Sequence, residues 1–418
     1  MSASRTIHVV ADWIGLGGPV RVGELNVHAA RGRETFSFTY DPSWLRSKSA
    51  VVIDPDLKLF SGPQYVSAGR SMFGVFMDSA PDRWGRTIMQ QRASYLARQQ
   101  GVEPGRMLDS DFLLGVHDAG RFGGLRFQLS PDGPFLDDND TYAAPPLTSL
   151  RKLQEVSLSY EQGNADEHEL ARLLQLLAPG SSLGGARPKA SVIDPDGNLW
   201  IAKFPSRSDS WNVAAWEYLV TTLAARCGIN TPTVRLERFG MGHSTLLSKR
   251  FDRSGNGGRI HAASAMTLLG RQDGDDHTTG VSYLDLADFI VRHCSNVSQQ
   301  LEELWKRILL NVLIANTDDH LRNHSFLLGP DGMWQLAPVY DINPVPFGTG
   351  LRLNISETDN LLDLALVEDV APSFRVSSLR AKELIAYMAS IVSTWSDEAK
   401  KIGLSRQEIH QMQQAFNH

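Results

Sequence analysis

Asn316-Thr317-Asp318-Asp319-His320-Leu321-Arg322-Asn323-His324-Ser325 is the densest polar run in the chain. The apolar stretch 308–315 (ILLNVLIA) leads into it, and Phe326-Leu327-Leu328 follows. A solvated loop needs no apolar flanks on both sides. Charges and amides set at the end of a buried helix each need a partner. The run is therefore read as a working loop carried by a core helix. His320 and His324 stand at i,i+4, a spacing that suits a metal on one helix face. The glutamate of an HExxH motif is missing, however, and the residues around His320 read as loop. Metal-dependent hydrolysis is thus the minor alternative, and His320 is read as a histidine that packs the loop.

Within the run, Asp318 and Asn323 are five residues apart. Protein kinases use that separation in the catalytic loop, where the Asp accepts the hydroxyl proton and the Asn holds Mg²⁺. Asp319 lies one residue too close, so Asp318 is the expected base. Arg322 stands where a cation can neutralise a transferring phosphoryl group. A second metal carboxylate is expected after a hairpin. Residues 326–337 read as that hairpin, with its turn at Gly329-Pro330-Asp331-Gly332, and Tyr340-Asp341 follows it. Asp341 is the candidate ligand.

The phosphate-binding side is sought upstream, in Gly180-Ser181-Ser182-Leu183-Gly184-Gly185-Ala186-Arg187-Pro188-Lys189. Ala186 stands where a Walker A loop has its lysine, and Pro188 opposes a helix start, so this is no ordinary P-loop. Gly184 and Gly185 can still turn backbone N–H groups towards phosphate oxygens. Lys203 is the one cation in the otherwise apolar strand that runs through Leu199-Trp200-Ile201-Ala202-Lys203-Phe204-Pro205. Such a lysine reaches α/β-phosphates when a helical Glu steadies it, and Glu217 on the next helix has the right order.

Beyond the motifs, the 418 residues carry 41 basic and 47 acidic side chains, a net charge of −6. That opposes a whole-surface grip on nucleic acid. Two cysteines, Cys227 and Cys294, exclude CxxC redox and Cys₄ zinc sites. No apolar run reaches the roughly 18 residues of a membrane span. The N-terminus, broken by His8 and Asp12, does not read as a signal peptide, so a cytoplasmic protein is expected. Runs at 7–13, 20–28 and 35–39 predict a β-meander. Ser79 is the expected N-cap of a helix running to about Gln100. The Pro/Asp/Gly-rich stretch 131–148 is the expected linker or domain boundary. Strands are predicted at 189–193 and 198–204, a helix at 212–227, and mostly helix after 282. The expected fold class is α+β: a bilobal protein-kinase-like fold with a β-rich N-terminal subdomain and a mainly helical C-terminal lobe. Its expected parts are 1–145, a small lobe 146–260 with the Gly/Ser loop, and a helical catalytic lobe 261–418.

Together these pieces resemble the HipA family of bacterial serine/threonine kinases, the toxins of type II toxin–antitoxin pairs. The resemblance runs through Phe73–Gly85, Phe122–Phe127, Gly184-Gly185-Ala186-x-x-Lys189, Arg250-Phe251-Asp252-Arg253, the Asn316–Ser325 run and Tyr340-Asp341. It implies Asp318 as base, with Asn323 and Asp341 as Mg²⁺ ligands. Lys203 then contacts ATP together with Gly184, Gly185, Ala186 and Lys189 of the glycine loop, and residues near Lys249-Arg250-Phe251 cover the adenine. Ser182, or its neighbour Ser181, matches the loop serine that family members autophosphorylate. The chain departs from the family at Lys249, where an acidic residue is usual, at Arg322, where Lys is usual, and at Ala262–Met266. The implied partner is a small helix-turn-helix, HipB-like antitoxin that supplies the DNA affinity. The implied protein target is an aminoacyl-tRNA synthetase. Two alternatives are a non-catalytic nucleotide-binding partner of a regulator and a small-molecule kinase of the same fold. The presence of Asp318, Asn323 and Asp341 argues against the former.

Overall fold

The computed structural model describes residues 3–161, 185–240 and 242–416. They fall into two compact units. One comprises residues up to Arg207 together with Asp252–Gly270 and Leu327–Gly332. The other comprises Ser208–Phe251, Arg271–Phe326 and Met333 onward.

The first unit is built on an antiparallel sheet. Its strands are β1 (Ala3–Ala11), β2 (Val20–Ala30), β3 (Arg33–Tyr40), β4 (Pro63–Tyr65) and β5 (Leu125–Gln128), in the order β4-β3-β2-β1-β5. The meander expected from the sequence is thus present. Alternation puts Phe36, Phe38 and Tyr40 of β3 on the buried face. Phe38 meets Phe76 at 5.7 Å and Phe73 at 6.5 Å, and Phe76 meets Phe127 of β5 at 5.9 Å. Burying each ring stabilises the unit by about 1.5–3 kcal/mol relative to exposure. Gly23 of β2 lets β3 come close. A Cβ there would lie 2.7 Å from the Phe38 ring and closer still to the Thr39 carbonyl.

The helix expected from Ser79 is two helices, Gly74–Ser79 and Arg83–Gln99. Pro81 drives Ala80 into an extended conformation (φ −86°, ψ 165°) and breaks the run. Asp82, not Ser79, is the N-cap, accepting the Gly85 N–H at 2.8 Å. The expected linker 131–148 is also tied into this unit. Leu136 and Asp137 donate N–H groups to Phe127 and Val116. The Arg121 guanidinium, fully buried, donates to the carbonyls of Ser79, Leu113, Val116 and Leu136. Burial pushes its pKa down to about 9. The strands Lys189–Ile193 and Leu199–Lys203 pair as a hairpin through the turn Asp194–Gly197, as the sequence predicts.

The second unit is mainly helical. At its centre the helix Val297–Leu313 buries Leu301, Leu304, Trp305, Ile308, Leu309 and Leu310. The Trp305 indole N–H donates to the Val367 carbonyl at 2.9 Å, which docks the helix Leu364–Val370. The helix Val213–Arg226 stops at Gly228, whose φ of +72° suits a residue without a Cβ. A hairpin of Val234–Glu237 and Thr245–Lys249 follows it. No helix among the described residues is long and apolar enough to cross a membrane.

Candidate active site

The helix Val297–Leu313 delivers the polar run at its C-terminal end. Ala315 takes a left-handed conformation (φ +47°), and Asn316 folds back so that its N–H donates to the Asn311 carbonyl at 2.9 Å. A left-handed alanine costs about 1–2 kcal/mol. Three of the six described non-glycine residues with positive φ, Ala315, Asp341 (+59°) and Phe347 (+68°), lie in or just after this region. The backbone is thus held in an unfavourable shape where the candidate residues stand.

The two neighbouring aspartates meet opposite surroundings. Asp319 is buried, and its Oδ2 accepts from the Tyr283 hydroxyl (2.6 Å), Asn311 Nδ2 (2.7 Å) and His324 Nε2 (2.8 Å). Burial works to raise its pKa, but the His324 ring and the hydrogen bonds outweigh it and hold the carboxyl below the usual range. Those donors fix Asp319 as an anchor. Asp318 is exposed. Its pKa is raised, first by partial desolvation within the loop and then by the Asp341 and Asp319 carboxylates. His320 and Arg352 pull the other way. An accessible carboxylate with a raised pKa is suited to accept a proton.

Asn323 ends a short 3-10 turn, Leu321–Asn323. Its Nδ2 donates to the Asp318 carbonyl at 3.2 Å, while its Oδ1 is buried with no hydrogen-bond donor. Asn343 Oδ1, two residues beyond Asp341, is likewise buried without a donor. Unpaired buried oxygens are costly, and hard cations take such oxygen ligands. The residues present therefore fit a divalent ion at Asn323 and Asp341. Among the described residues, no group of three or more His, Cys, Asp or Glu side chains is placed to hold a metal. His324 is engaged with Asp319, and His320 precedes a 3-10 turn and not an α-helix. The two histidines therefore do not form the i,i+4 pair that a zinc site needs. The histidine packed beneath the loop is His324; His320 is only half-buried.

Tyr340 joins the pieces. Its hydroxyl donates to the Arg322 carbonyl at 2.7 Å and hydrogen-bonds Ser325 Oγ at 2.5 Å, and its ring lies 5.5 Å from that of Phe251. Arg322 itself sits 3.7 Å from Asp273. Arg352 lies 3.6 Å from Asp276. The second unit thus brings together Asp318, Arg322, Asn323 and Asp341, and sets Phe251 against Tyr340. It also contains Lys249, at the end of its strand, and Glu217, which is buried on the helix Val213–Arg226.

Gly185, Ala186, Lys189 and Lys203 belong to the first unit. Ser181, Ser182 and Gly184 lie outside the described residues. Gly185 and Ala186 are exposed. Lys189 faces Lys203 across the hairpin, and its Nζ is bound by the Asp82 carboxylate at 2.8 Å and the Gly185 carbonyl at 3.3 Å. Gly185 has φ +99°, and a Cβ there would come within 2.7 Å of that Nζ. Asp82 thus caps a helix with one oxygen and holds Lys189 with the other. The sequence marks it only as part of a helix start. In the Arg250–Arg253 motif, Asp252 accepts the Gly123 N–H at 2.8 Å. Arg253 donates to the Arg121 and Ala119 carbonyls. The last two residues of that motif therefore serve the architecture of the first unit.

Residues 17–109 match the HipA N-terminal domain, and residues 181–395, more than half of the chain, match the HipA-like C-terminal domain. The chain belongs to the HipA family. A putative kinase of Haemophilus influenzae is 30% identical over 187 residues, covering 40% of this chain and 54% of the relative. The chain therefore spans about half of that relative's length. The serine/threonine-protein kinase toxin HipA of Shewanella oneidensis is 24% identical over 398 residues, covering 89% of this chain and 81% of the relative. A solved structure of the Shewanella oneidensis MR-1 toxin–antitoxin system HipA, with HipB and operator DNA, has the same fold. Its TM-score is 0.65 at 21% identity, covering 97% of this chain and 96% of that one. The expected kinase-like α+β fold is therefore present.

Proposed function

We propose that this HipA-family chain is an ATP- and Mg²⁺-dependent serine/threonine protein kinase, the toxin of a toxin–antitoxin pair. The carrying observation is the division of labour between adjacent aspartates, Asp318 open to solvent and Asp319 tied down, beside the donor-less oxygen of Asn323. Asp318 takes the proton of an acceptor hydroxyl as its oxygen bonds to the γ-phosphorus. The bond from the γ-phosphorus to the β–γ bridging oxygen breaks, and ADP leaves with that electron pair. Asn323 and Asp341 hold the magnesium ion, which neutralises charge on the phosphates. Arg322 faces the transferring group once Asp273 releases it.

On the nucleotide side, Lys203 pairs with phosphate oxygens. Gly184, Gly185 and Ala186 offer backbone N–H groups, and Lys189 secures the end of that loop through Asp82. The backbone at Lys249 and the ring of Phe251 border the adenine. Ser182, or Ser181, is the self-modification site. A phosphate there adds about −1.5 to −2 charges beside the triphosphate and opposes ATP binding, which inactivates the enzyme. The partner is a small HipB-like helix-turn-helix protein that carries the DNA contact. The assembly of the Shewanella oneidensis HipA with HipB and operator DNA supports this reading. The target class is an aminoacyl-tRNA synthetase, in the cytoplasm. The test is incubation with labelled ATP with and without Mg²⁺, followed by mass spectrometry of the chain. Label on Ser182 or Ser181 that vanishes on chelation is expected. No label at any Mg²⁺ concentration defeats the proposal.

A further inference from the structure

Beneath the loop, the polar network extends past Asp319. Asn311, buried on the helix Val297–Leu313, donates through Nδ2 to Asp319 and accepts through Oδ1 from Asn316 Nδ2 at 2.9 Å. Asn316, also buried, accepts through Oδ1 from the backbone N–H of Asn343 at 3.4 Å. Next to it, the Ala315 carbonyl accepts the Val345 N–H at 3.2 Å. The segment that carries Asp341 is thus laid on the turn that begins the loop of Asp318. Two asparagines side by side suit this task. Each amide offers both a donor and an acceptor and has no charge to desolvate. A carboxylate at either place would lose the donor, and an apolar residue would lose both groups.

From this chain of bonds we infer that Asn311 and Asn316 are positioning residues. They set the distance between the Asp318 carboxylate and the metal-binding Asp341, and so couple the base to the metal site. The inference rests on the kinase reading above and deepens it. Neither side chain has to reach nucleotide or acceptor. They act through Asp319 on one side and through the Asn343 amide on the other. The left-handed conformations of Ala315 and Asp341 make such support necessary, since both turns relax readily once unpinned. Misplacing reacting groups by about 1 Å can cost on the order of a hundredfold in rate.

The test uses the full chain with Asn316→Ala and, as a second variant, Asn311→Ala, which leaves Tyr283 and His324 on Asp319. Two quantities are read: steady-state phosphoryl transfer at varied ATP and Mg²⁺, and amide hydrogen exchange at Asn343 and Val345 without nucleotide. The expected result is a kcat lowered roughly tenfold or more, with KM for ATP within about twofold. The Mg²⁺ requirement should rise, and exchange at Asn343 should be faster. If Asn316→Ala does not fold, Asn311→Ala carries the same readings. Unchanged exchange, wild-type turnover, or an equal loss in kcat and gain in KM overturns the inference. If the wild-type chain transfers no phosphate, the kinase reading fails by itself, while exchange at Asn343 still decides whether the relay holds the segment.

Discussion

Asp54 in the first unit and Asp319 in the second are both buried carboxylates, yet their proton affinities move in opposite directions. Asp54 accepts backbone N–H groups, from Asp56 and Val75, each at 2.9 Å. Burial lifts its pKa to about 6, and the Asp56 carboxylate adds to the rise. Asp319 is as deeply buried, but an imidazole, a phenol and an amide all aim donors at one of its oxygens. Its pKa falls. Depth alone therefore does not decide ionisation; the number and charge of the donors do. Asp54 pins a turn and a helix start for the fold. Asp319 remains an anion so that the loop carrying Asp318 has one fixed shape.

The largest effect that this contrast predicts is at Asp319→Ala. Three buried donors lose their acceptor, and the cost to stability should be about 3–5 kcal/mol. Denaturant unfolding of the variant checks this, and a loss under about 1 kcal/mol would make Asp319 an ordinary surface-like carboxylate. A smaller effect is expected at Asp54, and it depends on pH. Its folded pKa is raised from 3.8 to about 6. Its contribution is therefore complete below about pH 4 and lost as pH rises through about 6. Asp54→Asn should remove that slope, so the stability gap between wild type and variant should change by at most about 3 kcal/mol between about pH 4 and 7. The expected order is a relative gain for the variant as pH rises. A gap that is flat with pH, or that moves the other way, breaks the comparison.

The candidate site residues were legible in the sequence because they are local. Asp318, Arg322 and Asn323 sit within one loop, and five-residue spacing is visible without a structure. The β-meander and the Asp194–Gly197 hairpin were legible through alternation and turn chemistry. The anchors were not, because each has a partner that comes from afar: Tyr283 lies 36 residues before Asp319, and Asp82 lies 107 residues before Lys189. Asn311 reads as a lone amide in an apolar helix. Only the fold shows that both ends of its side chain are used. The linker expected at 131–148 fails for a related reason, since the carbonyls that Arg121 gathers include one from that stretch. A Pro/Gly-rich composition shows where the chain turns and is silent on whether a distant guanidinium collects its carbonyls.

The central claim is that Asp318 transfers the proton while its neighbour Asp319 only holds the loop. Its most direct test is labelled-ATP transfer by Asp318→Asn and Asp319→Asn side by side, with melting temperature and ATP affinity measured on the same samples. Asp318→Asn should lose at least about 10²-fold in transfer, with melting temperature and ATP binding close to wild type. Asp319→Asn should show the smaller loss in transfer and the larger loss in melting temperature. Wild-type turnover in Asp318→Asn, or the reverse ranking of the two variants, would contradict the account.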